Sequence, residues 1–184
     1  MGMKQTLEVI NAMEADGLIG RYAVAGAVAA YNYIEPTVTD DVDILISFNE
    51  PSDQLKPGLV TLAPIFAYLK MKGYAEFRKE GLVIEDWAVQ FLPVANDLDV
   101  EALAHAQEVE IRISETEGSV WTREYIVAIC LRVGRPKDLI RITQFLEENT
   151  VDFAALCQVL GRHNLKGAWR AFCRRMGIAD PCRP

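Results

Sequence analysis

Apolar positions run through the chain with a helical period, then an alternating one, then a helical one again. Met3 to Ala15 places Leu7, Ile10, Asn11 and Met13-Glu14 in a mixed but helical period, and Asp16-Gly17 closes that helix. Arg21 to Ala25 is a short apolar run that predicts a strand breaking at Gly26. Ala27 to Ile34 is a small-residue helix ending before Pro36, and Val42 to Phe48 is a second strand. Pro51 and Pro57 mark a loop, and Leu59 to Met71 a helix closed by Lys72-Gly73. From Tyr74 the period falls to two. Tyr74–Arg78 and Leu82–Ile84 read as a hairpin around Lys79-Glu80-Gly81, Glu85-Asp86 as another turn, and Trp87–Leu92 as a strand closed by Pro93. Asp97 to Val109 predicts a helix with an acidic start, and Glu110 to Ser114 a short strand. Thr122 is placed to N-cap a helix that Gly134 ends, and Pro136 opens the next, which runs to about Glu147. Phe153–Leu160 and Leu165–Met176 form a helical pair, and the tail from Ala179 is expected to be loose. The sum is an α/β (α+β) chain: a mixed sheet flanked by helices over residues 1–114, and a helical segment over 115–184 that packs on it or continues the same domain.

The second strand carries the clearest chemistry. Alternate strand residues share a face, so Asp41 and Asp43 stand side by side while Val42, Ile44, Ile46 and Phe48 face the other way. Adjacent carboxylates repel, and a hard divalent cation with oxygen ligands relieves that repulsion. Upstream, a strand that ends at Gly26 and turns into a helix lets backbone N–H groups approach an anion. An anion cradle followed by a carboxylate pair suits a metal–triphosphate. The competing structural reading is a turn glycine and a solvated strand end. A second candidate is the Gly134-Arg135-Pro136-Lys137-Asp138 corner, where cations at a helix start oppose the dipole and a bound phosphate would account for them. The plainer account pairs Lys137 with a neighbouring acid and gives Asp138 to the helix start.

Composition narrows the classes. The chain has 184 residues, 51% hydrophobic, with net charge −7. That supports a real core and argues against a general nucleic-acid or DNA-binding surface. No run reaches the length of a membrane span, and cytoplasmic residence is expected. Cys130, Cys157, Cys173 and Cys182 are widely spaced with only two histidines to help, which predicts reduced thiols rather than zinc. Arg162, His163, Lys166, Arg170, Arg174 and Arg175 make the C-terminal end basic: a solvated helix face, or a contact for RNA or an acidic partner. Trp121 and Trp169 are expected to pack.

From Gly17 to Leu146, the apolar–Gly–small corner, the helix after it and Thr39-Asp40-Asp41-Val42-Asp43 resemble the nucleotidyltransferase superfamily that includes DNA polymerase beta. Within that superfamily the chain is most similar to bacterial proteins related to the toxin of a type IV abortive-infection toxin–antitoxin system, as is Gly134 to Leu139. The resemblance implies the superfamily's mixed sheet and Mg²⁺ (or Mn²⁺) on Asp41 and Asp43 as metal-binding, catalytic carboxylates. It also implies a nucleoside triphosphate as substrate, held through Gly26, Ala27, Thr39, Gln90, Arg135 and Lys137. The acceptor hydroxyl belongs to a protein, an RNA or a small molecule. Four positions depart from the pattern. Gln90 stands where a third carboxylate is expected, Ala27 where a corner Ser or Gly is usual, Cys130 near an expected lysine, and Arg141 near an expected acid. Gln90 is a weaker ligand for a hard ion and cannot act as a base. The alternative is therefore a catalytically impaired binding or regulatory protein on the same fold. A purely structural role for the acidic pair is the third reading. Acceptor, base preference, partner and oligomeric state are open at this level.

Overall fold

The computed structural model describes residues 2–36, 38–49, 61–112 and 116–183. The Pro51–Pro57 loop and the Leu59–Val60 start of the third helix lie outside the described residues. In chain order the elements are α1 (Met3–Ala15), β1 (Tyr22–Val24), α2 (Gly26–Ala30), β2 (Asp41–Ile46), α3 (Ala63–Met71), β3 (Phe77–Arg78), β4 (Gly81–Ile84) and β5 (Trp87–Pro93). There follow α4 (Asp97–Ala104), β6 (Gln107–Ile111), β7 (Thr116–Val120), α5 (Arg123–Val133), α6 (Pro136–Glu147), α7 (Phe153–Arg162) and α8 (Lys166–Met176).

The strands form one seven-stranded mixed sheet in the order β3-β4-β5-β2-β1-β7-β6. β2 lies near its centre, antiparallel to β1 and parallel to β5. That register sets Asp41 beside Ala88 and Asp43 beside Gln90. The β4–β5 connection is a two-residue hairpin, with Glu85 at φ 48° and Asp86 at φ 76°, the left-handed pair that such a turn needs. The Tyr74 hydroxyl donates to Glu85 at 2.6 Å and braces that turn.

Two departures from the sequence pattern share a cause. The helix expected over Asp97–Val109 stops at Ala104, and Gln107–Ile111 is a strand instead. Asn96 caps the helix by accepting from the Leu98 and Asp99 N–H groups, and the chain then turns to pair β6 with β7. β7 itself, Thr-Glu-Gly-Ser-Val, has no apolar alternation to announce it. Tertiary pairing decides, through Val120 against Val24 of β1 and Gly118, where an added Cβ would lie 2.9 Å from Ile111. Similarly, α2 ends at Ala30 rather than Ile34, and Thr122 occupies the N-cap of α5 without a side-chain cap bond.

Beyond the sheet, α5 is the buried axis: Tyr125, Ile126, Val127, Ala128, Cys130 and Leu131 are all buried. α6, α7 and α8 pack on it. Gly134 at φ 69° closes α5 in the left-handed conformation and lets α6 fold back along it. The Glu101 carboxylate of α4 gathers Tyr125, Arg162 and His163, which ties α4, α5 and α7 together. The hydrogen bond from Arg162 does most to hold that carboxyl at about 2.

The thiols correct the sequence-based expectation. Cys157 of α7 and Cys182 of the tail are joined by a disulfide, with Cα atoms 5.4 Å apart. Cys130 and Cys173 are free and buried. The tail is accordingly not loose. Asp180 accepts from the Trp169 indole N–H at 2.9 Å and from the Cys182 N–H at 2.9 Å. No spacing rule pairs cysteines 25 residues apart; the turn after α8 brings them together. Among the described residues no helix is long and apolar enough to cross a membrane.

Candidate active site

Where β2 starts, the α2 corner and the first two turns of α6 enclose a cavity of about 270 Å³. Gly26, Ala27, Thr39, Asp41, Asp43, Arg135 and Lys137 all line it. Val38, Ile140, Arg141 and Gln144 complete the wall. Gln90 does not line this cavity. It opens onto a neighbouring one of about 200 Å³ that also takes in Asp41, Glu80 and Lys79.

Gly26 is required by the acid beside it. Its φ is +62°, and a Cβ there would stand 2.0 Å from Asp43 Oδ2. The corner is therefore built to admit the Asp43 carboxylate against the backbone. The Ala25 N–H donates to the Asp43 carbonyl at 2.8 Å and locks the corner to β2. The Thr39 hydroxyl donates to Asp41 Oδ1 and fixes the second carboxylate.

Electrostatics single out Asp43. Burial pushes its carboxyl above the ordinary aspartate range, and the charge on Asp41 adds to the rise. Lys137, Arg141 and Arg135 pull in the opposite direction. Arg135 is the least free of the three cations. Its Nε donates to Asp138 Oδ2 at 2.7 Å and its Nη2 to Oδ1 at 3.1 Å. Asp138 is 1% exposed and also accepts from the Arg135 N–H at 3.1 Å, capping α6. Its partner is thus Arg135, while no ion pair engages Lys137 among the described residues.

Val38, Ile140, Arg141 and Gln144 line the cavity without having been singled out for it in the sequence. The signal was present: Lys137, Ile140, Arg141 and Gln144 fall at i, i+3, i+4 and i+7, one stripe of α6, and Asp138, Ile142 and Phe145 form the buried opposite stripe. Ile140 is 62% exposed, an apolar side chain at the lip of a charged cavity. Cys130 is a buried thiol pushed up to about 11, chiefly by burial, while the Arg141 charge pulls it down.

Gln90 is the sheet neighbour of Asp43 and donates its amide to Glu80 at 3.1 Å. At the same edge, Lys79 pairs with Asp40 at 3.2 Å.

The donor set suits a hard divalent cation. Two adjacent carboxylates, both half-buried, face a cavity without His or Cys. Among the described residues no three His, Cys, Asp or Glu gather into a closed metal cage. Two carboxylates leave the rest of a hard cation's shell to water and substrate phosphates.

No protein-family model matches the chain. No curated protein matches it either. Among solved structures it is similar to ANT(2'')-Ia in complex with adenylyl-2''-tobramycin, at 17% identity and TM-score 0.44, covering 93% of this chain and 97% of that one. It is also similar to a solution structure of the antibiotic-resistance factor ANT(2'')-Ia, at 18% identity and TM-score 0.43, covering 95% of each chain. At these scores the likenesses transfer neither fold nor activity.

Proposed function

We propose that this chain is a nucleotidyltransferase of the superfamily that includes DNA polymerase beta, akin to the abortive-infection type. It would move a nucleotidyl group from a nucleoside triphosphate to a hydroxyl on a protein, an RNA or a small molecule. The observation that carries the reading is the meeting, in one cavity, of the Asp41–Asp43 pair with Lys137 and Arg141. Carboxylates alone would suit a cation and cations alone an anion. Both together suit a metal-bound triphosphate.

In the reaction, the acceptor oxygen bonds to the α-phosphorus as its hydroxyl proton passes to solvent water, the bond to the β,γ-phosphates breaks, and pyrophosphate leaves. Asp41 and Asp43 would hold Mg²⁺ or Mn²⁺, which when bound supplies charge neutralisation on the phosphates. Lys137 and Arg141 receive phosphate oxygens. Arg135, pinned by Asp138, stiffens the α6 start that carries Lys137. Ile140 and Val38 give the cleft an apolar lip for the nucleoside. At the third-acid position Gln90 cannot accept a proton. The carboxylate beside it is Glu80, bound to the Gln90 amide.

Gln90 also favours a second reading, a nucleotide-binding regulatory protein that does not turn over. Calorimetric titration of each triphosphate, with Mg²⁺ and with chelator, into the wild type and an Asp41→Ala/Asp43→Ala variant tests both. Mg²⁺-dependent binding lost in the variant is expected. Transfer of an α-label to an acceptor then separates enzyme from binder. Absence of Mg²⁺-dependent binding in the wild type would sink both readings.

A further inference from the structure

A second cation-lined cavity lies at the other end of the helical segment, far along the chain from the acidic strand. It measures about 570 Å³ and is bounded by Gly167, Arg170, Cys173, Arg174, Asp180 and Arg183, among others. We infer that it is a metal-independent binding site for an oligophosphate group, with Arg170, Arg174 and Arg183 as its ligands and the Cys157–Cys182 disulfide as the tie that completes it.

The cations are arranged and not merely abundant. Lys166, Arg170 and Arg174 follow one another at four-residue steps on α8, about 6 Å of rise each, and so form one row. Arg183 comes from the tail, and two devices bring it opposite that row: the disulfide at Cys182 and the Asp180 hydrogen bonds to the Trp169 indole and the Cys182 N–H. Trp169 is fully buried, so this anchor is part of the core. Among the described residues no ion pair engages Arg170, Arg174 or Arg183. Asp180, the one carboxylate in the wall, spends an oxygen on its two N–H donors. Cys173 in the floor is a buried thiol whose ionisation burial opposes, so it adds no negative charge. From Gly161 onward the chain has six Arg and Lys against that one acid, although the whole protein carries −7.

Three arginines line one concavity, with the Arg170 Nε donating to the Lys166 carbonyl at 3.2 Å; an anion relieves the repulsion of their charges, and the guanidinium fork matches phosphate oxygens two at a time. A compact, multiply charged oligophosphate concentrates its charge where these groups converge. An acidic peptide spreads single charges along a chain. No aromatic ring lines the cavity, so it offers no stacking platform for the bases of a nucleic-acid strand.

The test is calorimetric titration of sodium tripolyphosphate, in chelator and at low ionic strength, into four proteins: the wild type, Arg170→Glu/Arg174→Glu, Cys182→Ser and Asp41→Ala/Asp43→Ala. The wild type should bind without metal, and affinity should fall as salt rises. The double arginine variant should lose about tenfold or more. The Cys182→Ser protein should lose several-fold as Arg183 is released. The acidic-strand variant should bind no more weakly than the wild type, so failure here and failure of the nucleotidyl reading are told apart. Thermal melts confirm that each variant is folded, and the arginines substituted are exposed. No binding, or binding that the arginine variant retains, overturns the proposal. Tighter binding of a polyglutamate peptide or a single-stranded oligonucleotide through the same arginines overturns the assignment of the ligand.

Discussion

The two cation-lined cavities differ in what they ask of a ligand. At the β2 end, Lys137 and Arg141 face two carboxylates across about 270 Å³. At the α8 end, three arginines share about 570 Å³ with one carboxylate already engaged. The first is electrostatically self-opposed: Asp43 is held above its ordinary range while cations draw it down, a balance that a metal-bound polyanion satisfies on both sides. The second is simply positive. On the proposals above, similar surface chemistry would make a metal-dependent site where two carboxylates are built in, and a metal-free one where three arginines outnumber the single Asp180, whose Oδ1 accepts two N–H donors. The construction differs too. The β2 cavity is shaped by backbone close-packing at Gly26, the α8 cavity by a covalent cross-link.

The largest effect should come from that cross-link. Cys182→Ser opens a loop of 25 residues and should lower stability by about 3 kcal/mol. Denaturant unfolding measures it, and Mg²⁺-dependent triphosphate binding at β2 should persist. Gly26→Ala is the matching break at the other cavity. Its Cβ would stand 2.0 Å from Asp43 Oδ2 at a φ of +62°, costing on the order of 1–3 kcal/mol and displacing the acid. Gly167→Ala, on the wall of the α8 cavity, meets nothing within 4 Å and should leave the melting temperature unchanged or slightly raised. Next, Lys137→Ala and Arg141→Ala should each weaken Mg²⁺-triphosphate binding about tenfold, the loss of one charge-assisted bond. Arg135→Ala should cost stability more than affinity, because it strands the buried Asp138.

A further small effect concerns pH. The folded-state pKa of Asp43 is raised, so its ionisation opposes folding as pH rises from the ordinary aspartate value through the raised one. Asp43→Asn should therefore melt higher than the wild type at pH 7, and the gain should vanish at acid pH, where the aspartate is protonated in both states. A melt series across pH 3–8 measures this.

Much of the β2 cavity could be read from sequence because its parts are local. The Asp-x-Asp spacing, the corner glycine and the Arg-Pro-Lys start of α6 are each carried by a few consecutive residues. What sequence reading missed depends on long-range placement. Arg141 reaches the cavity only because α6 folds back on α5. Glu80 meets Gln90 only through the β4–β5 pairing. β7 is polar and glycine-containing and owes its strand to its neighbours. The disulfide depends on the turn after α8, and with it the tail that was expected to be loose. The acidic face of β2 was legible; that Gly26 exists to make room for Asp43 was not.

Crystals grown with Mn²⁺ and a non-hydrolysable nucleoside triphosphate test the central claim most directly, by anomalous scattering. The account predicts a metal peak on the Asp41 and Asp43 carboxylates, with the triphosphate against Lys137 and Arg141. A triphosphate bound only among Arg170, Arg174 and Arg183, with no metal at the acidic strand, would contradict it.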